Sequence, residues 1–177
     1  MVALRQIPDI LTTTYLEMTN PSQLNAGFVL SDDVRVQRLE RADVGFYRFL
    51  YAAVGEKWAW RDRLLLSNNE LLDELSRPNV HVFVLYVCGA PAGYIELAKE
   101  DDGSVEVVYF GLREEYHGQG LGKHLLSYGV REAWNLGARR IWLHTCNLDG
   151  PHALNNYQKR GFRIFKQEHE PMPALYQ

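Results

Sequence analysis

The chain predicts an α/β fold, with a mixed, mostly antiparallel central sheet of six to seven strands and helices on both of its faces. Three observations carry this. Three consecutive segments, "VHVFVLYVC" (80–88), "AGYIELA" (92–98) and "SVEVVYFGL" (104–112), are β-rich and separated only by the turn-type sequences "GAP" and "KEDDG", which reads as an antiparallel meander. The first and third are apolar on both alternating faces, as strands covered from above and below are. Stretches of helical periodicity stand on either side of the meander in sequence.

Taken in order, residues 1–33 are the least patterned, with the β-favouring "TTTYLEM" and the turn-rich "NPSQLNAG"; they are expected to be an N-terminal extension packing on a domain that runs from 34 to 177. "VRVQRLE" (34–40) alternates as a strand, and "ADVGFYRFLYAAV" (42–54) places Val44, Tyr47, Leu50, Tyr51 and Val54 on one helical face. A further helix is expected within 61–76, where Leu64, Leu65, Leu71, Leu72 and Leu75 recur before Pro78. Beyond the meander, Leu121, Leu125, Leu126, Val130, Ala133 and Trp134 form an apolar stripe of about four turns ending near Gly137. "RRIWLHTC" (139–146) is a strand, a short helix opening near Asp149 and Pro151 stops at Gly161, and "FRIFKQE" is the closing strand.

Composition narrows the function. At 177 residues and 46% hydrophobic, the chain has enough apolar mass for one cored domain. A formal charge of −3 gives it no general attraction for nucleic acid or anionic lipid. Its longest apolar run, His81 to Ala90, is about half of a bilayer span, and the first residues carry no apolar secretory core, so no membrane association and a cytoplasmic location are expected. Cys88 and Cys146 lie in strand-like segments and read as reduced buried thiols, with pairing left open. His144, Cys146 and His152 lack a fourth partner at metal-ligand spacing and read as strand residues, so no metal is expected.

The chemistry concentrates at "HGQGLG" (117–122), which runs directly into the helix beginning near Leu121. A glycine-rich turn at a helix start offers unpaired N–H groups and the positive end of the helix dipole, and bare Cα atoms let a phosphate approach. A Walker loop is excluded because His117 and His124 occupy two of its required places, and the G-x-G-x-G spacing of Gly118, Gly120 and Gly122 departs from the dinucleotide fingerprint.

With the order of elements around it, "VEVVYFGLREEYHGQGLGKHLL" resembles the fourth strand, loop and third helix of the GNAT superfamily of acetyl-CoA-dependent N-acetyltransferases, whose loop reads Arg/Gln-x-x-Gly-x-Gly/Ala. "NLDGPHALNNYQKRGF" resembles the closing segment of that family, and the resemblance covers roughly residues 34–170. His117 departs from the usual Arg or Gln, and Gly150 stands where the family often has Asn.

The resemblance implies acetyl-CoA as cosubstrate. His117, Gly118, Gln119, Gly120, Leu121, Gly122 and Lys123 would surround its pyrophosphate, and Phe110, Gly111 and Leu112 would align the pantetheine arm where two strands part. The reaction would be direct attack of a primary amine on the thioester. At pH 7 an alkylammonium of pKa about 10.4 is neutral in roughly one molecule per two thousand, a cost of about 4 to 5 kcal/mol, so a base or proton path helps. Glu106 is the proposed base, with Glu96 on the neighbouring strand as the competing carboxylate; Tyr157 matches the family tyrosine that donates to the leaving sulfur. Trp58 and Trp60 in "EKWAWRDR", with Tyr51 and Glu96, are placed at the acceptor. The acceptor is expected to be a small-molecule amine. A protein lysine or N-terminus, or a CoA-binding module without catalysis, are the alternatives, and a homodimer is left open.

Overall fold

In the computed structural model, which describes residues 7–176, one seven-stranded sheet forms the centre of the chain. In chain order the elements are β1 (Ile10–Met18), β2 (Val34–Arg38), α1 (Val44–Gly55), α2 (Asp62–Leu65), α3 (Asn68–Leu75), β3 (Val80–Val87), β4 (Ala90–Lys99), β5 (Ser104–Leu112), α4 (Leu121–Asn135), β6 (Arg140–Cys146), α5 (Ala153–Lys159) and β7 (Arg163–Pro171). The strands lie in the order β2-β3-β4-β5-β6-β1-β7, antiparallel except for β5 beside β6.

The meander forms as its turn chemistry requires, although the first turn sits one residue earlier than "GAP". Cys88 (φ 50°) and Gly89 (φ 81°) form the two-residue turn, both in the left-handed region that such hairpins need. Cys88 is therefore exposed on a turn and not buried in a strand, while Cys146 is partly buried. Alternation then divides the sheet into two faces. Val82, Val84 and Tyr94 join Tyr47, Leu50, Tyr51 and Val54 of α1 and Leu71 and Leu75 of α3 in one apolar cluster. Phe83, Leu85, Ile95 and Leu97 join Leu121, Leu125, Leu126 and Val130 of α4 in the larger one.

One expectation is corrected. The helix expected within 61–76 is two helices, because Ser67 ends the first extension and caps the second: its hydroxyl accepts from the Glu70 N–H, and the Glu70 carboxylate accepts from the Ser67 N–H. Leu65, at the end of the short helix, is consequently exposed. The segment 1–33, expected as an N-terminal extension packing on the domain, supplies from its β-favouring stretch an internal strand of the sheet: β1 lies between β6 and β7 and pairs with both. Residues 1–6 of that segment lie outside the described residues. Among the described residues no helix is long and apolar enough to cross a membrane.

Candidate active site

The parallel pairing of β5 with β6 lasts only three rungs, Ser104–Arg140 to Glu106–Trp142, after which the strands separate. A bulge marks the departure. Glu96 faces Tyr109 and Leu97 faces Val107, so Val108 is the extra residue on β5. The Arg113 N–H donates to the Ala92 carbonyl, and ladder alternation therefore turns the main-chain groups of Tyr109 and Gly111 toward β4 and those of Phe110 and Leu112 toward the gap. The Leu112 carbonyl is already engaged by His117 Nε2 at 3.1 Å, which leaves the Phe110 N–H and C=O as free backbone groups of a strand edge. Gly111 is glycine for a reason of packing: a Cβ there would stand 2.4 Å from Val54 Cγ1 of α1.

On the other side of the gap α4 begins. Gly118 and Gly120 both have φ of 76°, so the turn itself demands glycine. Gly120 is the N-cap and no side chain caps the helix, which leaves the N–H groups of Leu121, Gly122 and Lys123 without intrahelical partners at the positive end of a 15-residue helix. At Gly122 a Cβ would meet only ordinary contacts, 3.8 Å from Leu112 Cδ1 and 3.9 Å from Asn156 Nδ2. Nothing in the chain forbids a side chain there; only a ligand would.

Between these walls lies a cavity of about 540 Å³, the size of a small-molecule site. It is lined by Phe110, Gly111, Leu112, His117, Gly118, Gly122, Lys123 and Tyr157 among the expected cofactor and catalytic residues, and by Trp58 and Trp60 among the expected acceptor residues. Several other expectations are redistributed. His117 spends Nε2 on the Leu112 carbonyl, Gln119 donates its amide to the Glu115 carbonyl at 3.2 Å, and the Leu121 side chain is in the core, so what this loop turns to the cavity is chiefly its backbone and the His117 ring. Tyr51 lies behind the wall, its ring 5.4 Å from Trp60 and 5.1 Å from Tyr109. Glu96 is wholly buried, taking hydrogen bonds from Tyr47 Oη (2.5 Å) and Arg63 Nη2 (2.6 Å), and is not a wall residue at all. Its Arg63 partner sits 5.4 Å from the Tyr109 ring, so this pair braces β4 and β5 from behind.

Tyr157 is buried against Phe110 and Phe162, and burial, with Asp149 nearby, pushes its hydroxyl well above the ordinary tyrosine value. It therefore keeps its proton at neutral pH, as an ordinary tyrosine does. Asp149, expected to open the short helix, instead closes the end of β6, accepting from Thr145 Oγ1 (2.5 Å) and the Cys146 N–H (3.0 Å); α5 starts at Ala153 with His152 at its N-cap. Gly150 leaves room for Trp58, whose ring would stand 3.3 Å from a Cβ at that position.

Three wall residues escaped the sequence reading as functional groups: His144, Asp62 and Tyr109. His144 was legible in the alternation of "RIWLHTC", where Ile141 and Leu143 are buried and the residues between them face the other way. Its Nδ1 lies 3.5 Å from Glu106 Oε1.

A mixed sheet opened between two parallel strands, beside an uncapped glycine-led helix, leaves one cleft with a strand edge on one side and helix N–H groups on the other. The sequence profile of the Acetyltransferase (GNAT) family matches residues 40–162, and the chain belongs to that family of acyltransferases. Among curated relatives, a mycothiol acetyltransferase from Corynebacterium efficiens is 38% identical over 72 residues, which is 41% of this chain and 24% of the relative. The matched regions span from 24% to 63% of the length of the curated relatives. Among solved structures, a GCN5-related N-acetyltransferase from Kribbella flavida has a TM-score of 0.65 at 19% identity, covering 92% of this chain and 58% of that one. A Bacillus subtilis acetyltransferase in complex with CoA has a TM-score of 0.58 at 26% identity, covering 75% and 78%.

Proposed function

We propose that this protein transfers an acetyl group from acetyl-CoA to a primary amine of a small molecule, by direct attack of the amine on the thioester. The observation that carries the reading is the meeting, in one cavity, of a strand edge with free backbone groups at Phe110 and a helix start with free N–H groups at Gly122 and Lys123. The first suits the amides of a pantetheine arm added as a further strand; the second, with the Lys123 side chain on the wall, suits a pyrophosphate. The structure of a relative with CoA supports the choice of carrier.

In this reading the Tyr157 hydroxyl donates a hydrogen bond to the departing sulfur. The Phe110 backbone holds the thioester in line for attack, which lowers the entropy cost of bringing the two reactants together. Trp58, Trp60 and Tyr176 wall the acceptor side, and Asp62 and Asp149 add carboxylates there. Aromatic faces and carboxylates suit an amine that arrives as a cation.

The test is a thermal-shift titration with acetyl-CoA followed by an amine panel (spermidine, glucosamine and a lysine-containing peptide) read by release of free thiol. Stabilisation by acetyl-CoA and turnover with spermidine or glucosamine are expected. Turnover confined to the peptide would move the reading to protein acetylation, and binding without turnover would leave a CoA-binding module.

A further inference from the structure

We propose that His144 is the group that takes the proton from the attacking amine, and that Glu106 is the positioning residue behind it. The inference rests on the acetyl-transfer reading and changes the part assigned to Glu106. Glu106 stands on the last rung of the β5–β6 pairing, its side chain only 16% exposed, and it is not on the cavity wall. His144 lies two residues past that rung on β6, where the strands have parted; its side chain is 48% exposed and lines the cavity. The imidazole stands between the carboxylate and the cavity.

The ring is held rather than free. Nδ1 faces Glu106 Oε1 at 3.5 Å, and the Tyr15 and Trp142 rings lie 5.8 and 6.3 Å away. With Nδ1 facing the carboxylate, Nε2 is the nitrogen turned to an acceptor, and a proton shared between Nδ1 and Glu106 would fix its role. A histidine is also better matched than a carboxylate to a proton transfer near neutral pH: the reference values are about 6.5 and about 4.3.

The titratable groups facing this ring are Glu106 from β5, Tyr15 from β1, Asp62 from α2 and Asp149 from the turn after β6. Glu106 raises the imidazole above its ordinary value against the opposing effect of burial, and Asp149 and Asp62 act in the same direction as Glu106.

In the step itself, the ammonium has first given one proton to solvent; the neutral amine nitrogen then forms a bond to the thioester carbonyl carbon, and the proton it sheds in forming the amide passes to Nε2 of the neutral imidazole. The carbon–sulfur bond breaks, and the electron pair leaves with sulfur as a thiolate held by the Tyr157 hydroxyl. The imidazolium then returns its proton to solvent.

The experiment compares wild type, His144→Ala, His144→Gln and Glu106→Gln for acetyl-CoA binding and for turnover with whichever of spermidine or glucosamine the wild type accepts. His144→Ala and His144→Gln are expected to bind acetyl-CoA as wild type does and to lose about 100-fold or more in kcat. Added imidazole should restore part of the activity of His144→Ala. In Glu106→Gln the rising limb of kcat/KM against pH should move to lower pH with the same acceptor, since the rate needs neutral imidazole and the carboxylate that raises its value is gone.

His144→Ala within threefold of wild type and indifferent to imidazole, or a pH limb unmoved in Glu106→Gln, would overturn the inference while leaving acetyl transfer intact. Loss of acetyl-CoA binding in both His144 variants would also count against it, as a binding role. A wild type that binds acetyl-CoA yet acetylates no amine would instead overturn the acetyl-transfer reading, and this inference with it.

Discussion

Replacing Arg63 by methionine tests whether the buried carboxylate of Glu96 is structural or chemical. Glu96 is fully buried on β4, and its charge is answered only by Arg63 Nη2 at 2.6 Å and the Tyr47 hydroxyl at 2.5 Å. The Arg63 side chain is itself only 12% exposed, with Glu74 as a second, more distant partner at 3.5 Å. Methionine refills much of the space but leaves a carboxylate in the core with one neutral donor. Breaking a buried pair in this way costs about 3 to 5 kcal/mol. For a chain of 177 residues that is a fall in Tm on the order of 6 to 20 °C.

The sign of the pH dependence follows. Burial already holds the Glu96 carboxyl above its ordinary value against the opposing pull of Arg63 and Tyr47, and loss of Arg63 raises it further, so the added penalty is absent below the unfolded value and grows as pH rises through the folded one. Urea unfolding of wild type and Arg63→Met at pH 7 and at about pH 4.5 should show the gap narrow in acid. Glu96→Gln in the Arg63→Met background should recover part of the loss, since it removes the unpaired charge. A loss below about 1 kcal/mol, or one that does not change with pH, would refute a charge-bearing Glu96 held by Arg63. In an otherwise intact chain, Glu96→Gln should keep turnover within a few-fold, because the residue is not on the cavity wall.

Gly122→Asp should leave the fold at least as stable, since an acidic residue in a first helical turn is favourable and the Cβ meets only ordinary contacts. The same change should weaken acetyl-CoA binding by about 100-fold or more by calorimetry, and unchanged affinity would remove the phosphate from this helix start. Tyr157→Phe should lower kcat by about 10-fold or more while the thermal shift with acetyl-CoA persists; equal turnover would end the donor role of that hydroxyl. His124 accepts from the Val29 N–H through Nδ1 at 3.0 Å, and burial, then Arg131, lowers its pKa. Because the folded state favours neutral imidazole, the stability this contact contributes is full above the ordinary value near 6.5 and is lost as pH falls toward and through the lowered one. Exchange of the Val29 amide, corrected for its intrinsic rate, should therefore speed up between pH 7 and pH 5, and protection unchanged over that range would contradict the assignment.

Much of the site was readable in local order because its parts are local in sequence. The loop 117–122 and the helix it feeds are one continuous segment, and the φ of 76° at Gly118 and Gly120 is what those residues permit and others resist. The meander, the α1 face and the stop at Gly137, whose φ is 80°, follow from periodicities of two and 3.6 and from turn chemistry. The break at Ser67 was also present, as a Ser-x-x-Glu capping pattern, but the leucine periodicity running across it reads as one helix.

What local patterns leave open is which strand lies beside which. Ile10–Met18 is β-favouring in any setting, yet only its pairing with both β6 and β7 makes it an internal strand. Glu106 and Glu96 are indistinguishable as carboxylates on neighbouring strands; the bulge at Val108 and the arrival of Arg63 bury one, and the parting of β5 from β6 puts the other behind His144. The sequence by itself determined most of the elements and the glycine-led, uncapped helix start, since backbone conformation and amphipathicity are set by neighbours a few residues away. The tertiary structure alone decided that Glu106 stands beside His144, since the 3.5 Å between them joins residues far apart in the chain and exists only where two strands begin to separate.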